Sequence, residues 1–285
     1  MAKRIIITEE QFNQILKEEL GIAKEVILLT KEIENKIDYL LKNNQTGTLN
    51  ISDGLKLNFN YFNFNDYEEL NSWLQTNYSK NKNGYSFSKN TIYITIIAVN
   101  NMFDTNVLSD TIQHEVHHYY QAKKSGKSFS SDKYQLIAKN MASNNDYLKY
   151  LNQMLYFSKK FEIEGWINGA YNVYKNNRIT SYKDFIDNTE LYKVDGILKD
   201  VFDFFSTEPF YGIKFQQMLI YISDNGLYKN VENLKELRKK ILDDCQNTYN
   251  MFVRKASRAF CLLKQEYDDL MYKNHTSGLN KHIDN

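Results

Sequence analysis

Hydrophobic positions change period several times along the chain, and the changes outline its elements. Thr8-Glu-Glu-Gln11 reads as a capping box, with Thr8 and Gln11 placed to satisfy each other's backbone amides at the start of a helix. Leu20, Ile22, Val26, Leu29, Ile33, Ile37 and Leu41 then recur at helical spacing to about Lys42, with Gly21 as a candidate break. From Thr46 to Asn65 the period shortens. Leu49 and Ile51 precede an Asp53-Gly54 turn, after which Leu55, Leu57, Phe59 and Tyr61 alternate with polar residues, predicting a β-hairpin with one wet face. Asp66 is placed to cap a short helix through Leu70, Trp73 and Leu74. Thr91 to Val99 is the clearest strand, ending at Asn100-Asn101.

A helix is expected from Asp104 or Thr105 to Gly126, with Leu108, Ile112, Val116 and Tyr119 on its core side. Beyond Tyr134 the pattern is helical, punctuated at Ser143-Asn-Asn, Asn176-Asn, Glu208-Pro209 and Asp224-Asn-Gly226. A long stripe runs through Leu234, Leu237, Ile241, Cys245, Phe252, Ala256, Phe260, Leu263, Tyr267 and Leu270. The expected class is α+β: a small antiparallel sheet packed on a helix, with a mainly α-helical C-terminal part. The corresponding division is a helical segment at 1–45, a core at 46–178, a helical subdomain at 179–274 and a polar, frayed tail at 275–285.

Composition narrows the partners. A net charge of +1 gives no bulk attraction to nucleic acid or to an acidic membrane. Residues 1–10 hold an apolar run of only three, Ile5 to Ile7, too short for a signal peptide or a membrane span, so a cytoplasmic location is expected. Cys245 and Cys261 form no CxxC pair and are expected to be buried free thiols.

The chemistry is concentrated in Asp110 to Gln121, where His114-Glu-Val-His-His118 reads H-E-x-x-H and holds three of the five histidines. Helical positions four apart lie one turn apart on one face, so His114 and His118 can share a metal ion while Glu115 sits beside them as general base. His117 is turned about 100° from His118 and is expected to face solvent or to support the site, ligation being the lesser alternative. Catalytic zinc takes three protein ligands and keeps one position open. His275 and His282 lie in the polar tail, so a carboxylate is the default third ligand.

Lys160 to Tyr171 holds both candidates. Glu162 shares a helix face with Gly165 and Gly169, small residues that allow a close approach to the active helix. Glu164 shares its face with Ile167, Asn168 and Tyr171, which hold helices apart. Sterics favour Glu162 and leave Glu164 as the alternative. A tyrosine is a candidate oxyanion donor, but the sequence does not pick one among 22; Tyr171 and Tyr174 are near the site in sequence only. The chemistry is hydrolytic: one zinc ion per chain, a zinc-activated water and a protein or peptide substrate, with another amide or ester as an alternative substrate. A different reading keeps the fold without the activity, as a structural protein whose C-terminal stripe binds a partner helix; intramolecular packing is the simpler use of that stripe.

His114-Glu-Val-His-His118 followed by Glu162-Ile-Glu-Gly165 resembles the gluzincin group of zinc metallopeptidases, across about Thr91 to Tyr174. The resemblance implies a zincin-like fold, His114, His118 and Glu162 as ligands, Glu115 as base, and a strand, Ile92 to Val99, able to pair with an extended substrate. The chain departs from the group at Trp166, where an aspartate often orients a ligand histidine; Asn168 and Asp110 are the residues at hand for that role. Separately, Lys3 to Glu18 is similar to a short leader on tailed-phage proteins, including those of crAss-like phages. That resemblance implies a phage protein associated with the virion.

Overall fold

The computed structural model describes residues 14, 24–43, 45–77, 83–86, 88–126, 136–137, 139–141, 143–174 and 181–280. The capping box at Thr8 and Gln11, the phage-like leader apart from Gln14, and the turn at Asn176-Asn177 lie outside them. Helix α1 (Lys24–Lys42) is followed by β1 (Gly47–Asn50), a 3-10 turn (Ser52–Gly54), β2 (Lys56–Phe64), α2 (Tyr67–Asn77), β3 (Gly84–Ser86) and β4 (Thr91–Val99). Helix α3 (Thr105–Ser125) leads to α4 (Asp146–Phe157), α5 (Lys160–Tyr174), α6 (Tyr182–Asp187), α7 (Leu191–Thr207), α8 (Gly212–Asp224) and α9 (Leu234–Asn280). The class is α+β and mostly helical. Among the described residues no helix is long and apolar enough to cross a membrane.

The hairpin forms where the turn signal stands. β1 and β2 pair antiparallel, Gly47 opposite Phe59, around Gly54 at a φ of +71°. The four strands lie in the order β1-β2-β4-β3, and here the sheet departs from the antiparallel expectation. β2 and β4 run parallel, from Lys56 opposite Thr91 to Phe64 opposite Val99. Parallel neighbours require a crossover, and the chain carrying α2 and β3 supplies it. Side-chain alternation reports which face is buried, not the sense in which two strands pair, so the pattern could not reveal this. The edge of β4 that the resemblance makes able to pair with a substrate is occupied in its first half. β3 covers it at Thr91, Ile92 and Tyr93, and the Thr95 amide donates to Asn83 Oδ1 at 2.7 Å.

Among the described residues, three apolar clusters form the core. Val26, Ile33 and Ile37 of α1, Leu57 and Phe59 of β2, Ile92, Ile94 and Ile96 of β4, and Ile112, Val116 and Tyr119 of α3 form one. Helix α1 is thus built into the core beneath the sheet, and its buried Thr30 donates to Gln113 Oε1 of α3 at 2.5 Å. Asp66 caps α2 by accepting from the Glu69 amide at 2.9 Å, as its position predicts. A second cluster joins α5, α6, α7 and α9 through Ile163, Ile167, Phe185, Leu198 and Phe252. A third joins α4, α7, α8 and α9 through Leu151, Val201, Phe215 and Ile241.

The C-terminal stripe is therefore covered within the chain: Leu237, Ile241, Cys245, Phe252, Ala256 and Leu263 are all buried. Helix α9 continues to Asn280, past the point at which the sequence pattern predicts fraying. Both cysteines are free, but only Cys245 is buried; Cys261 is exposed, contrary to expectation, because it lies off the stripe. If α9 is a core element, Phe252→Ala should lower stability by about 3–5 kcal/mol. Urea unfolding followed by circular dichroism checks this, and an unchanged midpoint would make α9 an appendage.

Candidate metal centre

Helix α3 starts where Asp104 Oδ1 accepts from the Val107 amide at 3.1 Å and ends at Gly126, whose φ is +64°. Ile112, Val116 and Tyr119 face the sheet, which turns His114 and His118 toward α5. Helix α5 is buried on nearly every side, since α3 lies against one face and α9 against another. It meets α3 through its glycines. A Cβ on Gly165 would stand 2.6 Å from His114 Nδ1, and one on Gly169 would stand 1.7 Å from Asp110 Oδ1 and 2.7 Å from the Asp110 backbone oxygen. Each glycine costs about 1 kcal/mol relative to alanine in a helix; Gly165 makes room for the His114 ring and Gly169 for Asp110.

At this contact His114 Nε2 lies 2.9 Å from His118 Nε2. Glu162 Oε2 lies 3.7 Å from the first and 3.6 Å from the second. Bonds of about 2.0–2.1 Å at tetrahedral angles place ligand atoms roughly 3.3 Å apart, so the triangle has the size a small divalent cation needs. Two imidazole nitrogens and a carboxylate oxygen converge where water is nearly excluded: Glu162 is 1% exposed and His114 4%. Such a collection of Lewis bases is stabilised by a cation. His114, His118 and Glu162 form a buried group that could hold a metal ion.

Aromatic rings pack against both histidines. Trp166 lies over His114 with centroids 4.2 Å apart and planes inclined by 37°, and Phe161 meets His118 edge-on at 5.7 Å. The position where an orienting aspartate was missed thus carries an indole that fixes His114 by packing.

Burial sets the protonation states. His114 is pushed down to about 3, by its own burial and then by His118, although Glu162 pulls the other way. A neutral ring is the form a metal ligand needs. Burial also opposes a charged His118, but Glu162, by charge and hydrogen bond, and Glu115 outweigh it, so its pKa is raised. Glu115 is pushed up to about 7 by burial, with His118 lowering it, Glu162 raising it and a hydrogen bond from the Tyr85 backbone lowering it. A carboxyl poised there can both take and return a proton near neutrality.

The other candidate residues are elsewhere. Glu164 points away from the triangle: its Oε1 accepts from Lys255 Nζ at 2.9 Å and lies 3.4 Å from Lys160 Nζ, and its Oε2 accepts from Gln121 Nε2 at 3.3 Å. His117 is buried, not solvent-facing, because Asn168 and Glu164 of α5 lie against its ring. Its Nε2 is 2.6 Å from Gln121 Nε2, and its Nδ1 is 3.2 Å from Asn168 Nδ2. Asn168 therefore holds His117, and also donates to the Glu164 backbone oxygen at 2.8 Å, instead of orienting a ligand histidine. Asp110 Oδ2 accepts from the Glu190 amide at 3.1 Å, and Oδ1 rests on Gly169. Tyr171 donates to Glu266 of α9, and Tyr174 packs on Phe185, so neither is placed as an oxyanion donor.

Sequence reasoning missed Lys255, Gln121 and the role of Trp166. For Lys255 one signal existed, a lysine on the apolar stripe one position before Ala256.

Two measurements follow. Gly165→Ala should tilt His114 and weaken metal binding at least tenfold by chelator competition, while Gly169→Ala should destabilise by about 1–3 kcal/mol despite its better helix propensity. Tight binding and raised stability in both would contradict the glycine contact.

Burial pushes Asp110 up to about 8, against the Glu190 amide that lowers it. The folded state then retains a proton that the unfolded chain releases near pH 3.9. This stability is present below about pH 4 and is lost as the pH rises toward 8. In metal-free protein, Asp110→Asn should gain on the wild type between pH 5 and pH 8 in urea unfolding. An equal difference at both pH values would mean that Asp110 titrates normally.

No family model, curated protein or solved structure matches the chain, and the reading of the centre rests on the geometry of these side chains.

Proposed function

We propose that the chain is a zinc-dependent metallopeptidase of the gluzincin type, with one zinc ion per chain held by His114, His118 and Glu162. The observation that carries this reading is the convergence of two Nε2 atoms and Glu162 Oε2 within 3.7 Å of one another, beside the buried Glu115. Two imidazole nitrogens and one carboxylate are a donor set of hydrolytic zinc sites. When bound, zinc supplies Lewis acidity, bringing the pKa of water to roughly 7 and polarising a carbonyl.

The rest falls to the chain. Glu115, adjacent to His114 on α3, accepts the proton of the attacking water and delivers it to the leaving amine as the C–N bond breaks. Trp166 and Phe161 hold the histidine rings in register, so little reorganisation accompanies the reaction. The site opens most at His118, whose side chain is 12% exposed against 1% for Glu162, so substrate approaches over that ring. The phage-like leader is consistent with a role in or on the virion.

Purified protein should contain about one zinc per chain by elemental analysis. Glu115→Gln should keep that zinc and lose at least a hundredfold of its peptidase activity on a denatured protein substrate. Zinc retained with full activity in the variant would remove Glu115 from the chemistry, and absence of zinc would remove the metal reading.

A further inference from the structure

We infer that Lys255, on the C-terminal helix, is a positioning residue of the metal centre, acting through Glu164. This rests on the reading of His114, His118 and Glu162 as metal ligands. Lys255 is 3% exposed, on a stretch of α9 otherwise occupied by Phe252, Ala256 and Ala259. Its ammonium lies 2.9 Å from Glu164 Oε1. Lys160 reaches the same oxygen at 3.4 Å from the solvent side, where it is 65% exposed.

Glu164 and the ligand Glu162 are two residues apart on α5, about 200° around the helix. One carboxylate points to the metal triangle and the other to α9. Pinning the second therefore fixes the rotation of α5 about its axis, and with it the place of Glu162 Oε2. The pin reaches α3 as well. Glu164 Oε2 accepts from Gln121 and lies 4.0 Å from His117 Nε2; His117 stands between the two ligand histidines on α3, and Gln121 follows His118 by three residues on the same helix. One buried carboxylate thus ties together the helix with two ligands, the helix with the third, and α9.

A buried ion pair seldom adds net stability over apolar residues of similar size, so its use here is geometric. That view separates positioning from simple support. A supporting pair can be replaced by two apolar side chains without loss, whereas a positioning pair cannot.

The test uses the full chain, loaded with zinc or cobalt. Zinc affinity is read by chelator competition, ligand geometry by the visible spectrum of the cobalt form, and stability by thermal unfolding. Lys255→Met should weaken zinc ten- to a hundredfold and alter the cobalt spectrum. The double variant Lys255→Met with Glu164→Met leaves no buried charge and should regain the unfolding midpoint, while affinity and spectrum remain altered. Recovery of all three in the double variant, or an unchanged single variant, would overturn the positioning role. Failure of the double variant to fold would also overturn it, making the pair a folding element. Wild-type protein that binds neither metal would instead defeat the metal-site reading itself.

Discussion

Everything at the candidate centre depends on how closely α3 and α5 approach. Glu162 has a short reach, and it meets two histidines on a neighbouring helix only because that neighbour has nothing to clear at Gly165 and Gly169. A methyl group at either position would meet the His114 ring or the Asp110 backbone at less than 3 Å. The glycines make helix α5 weaker as a helix. Burial on nearly every side, by α3, α9 and the apolar residues between them, compensates by holding it in place.

That burial has electrostatic consequences. Three titratable side chains in one nearly dry volume cannot keep their ordinary protonation states, and they divide instead: His114 is driven neutral, His118 is favoured charged, and Glu115 is moved toward neutrality. A cation held in the triangle would resolve the competition. The aromatic rings of Trp166 and Phe161 serve where hydrogen-bonding acids are more usual, orienting the imidazoles by shape without adding charge to an already crowded site.

The C-terminal half belongs to the same mechanical unit. Helix α9 fills the groove beside α5, receives the Tyr171 hydroxyl on Glu266, and sends Lys255 to Glu164. Its apolar stripe from Leu237 to Leu263 is largely taken up by contacts within the chain, while Leu234 at its start stays half-exposed.

Much of this was legible in the residues. The H-E-x-x-H spacing places two imidazoles on one helix face because helical geometry is local, and Gly165 and Gly169 mark the approach because only steric clearance needs a missing side chain there. Caps at Asp66 and Asp104 are likewise local hydrogen-bond chemistry. The parallel pairing of β2 with β4, the cover of β3 over the edge of β4, the burial of His117 and the meeting of Lys255 with Glu164 were decided only in the tertiary structure. Each depends on which segments distant in sequence become neighbours, and a periodic pattern records that a face is buried but not what buries it.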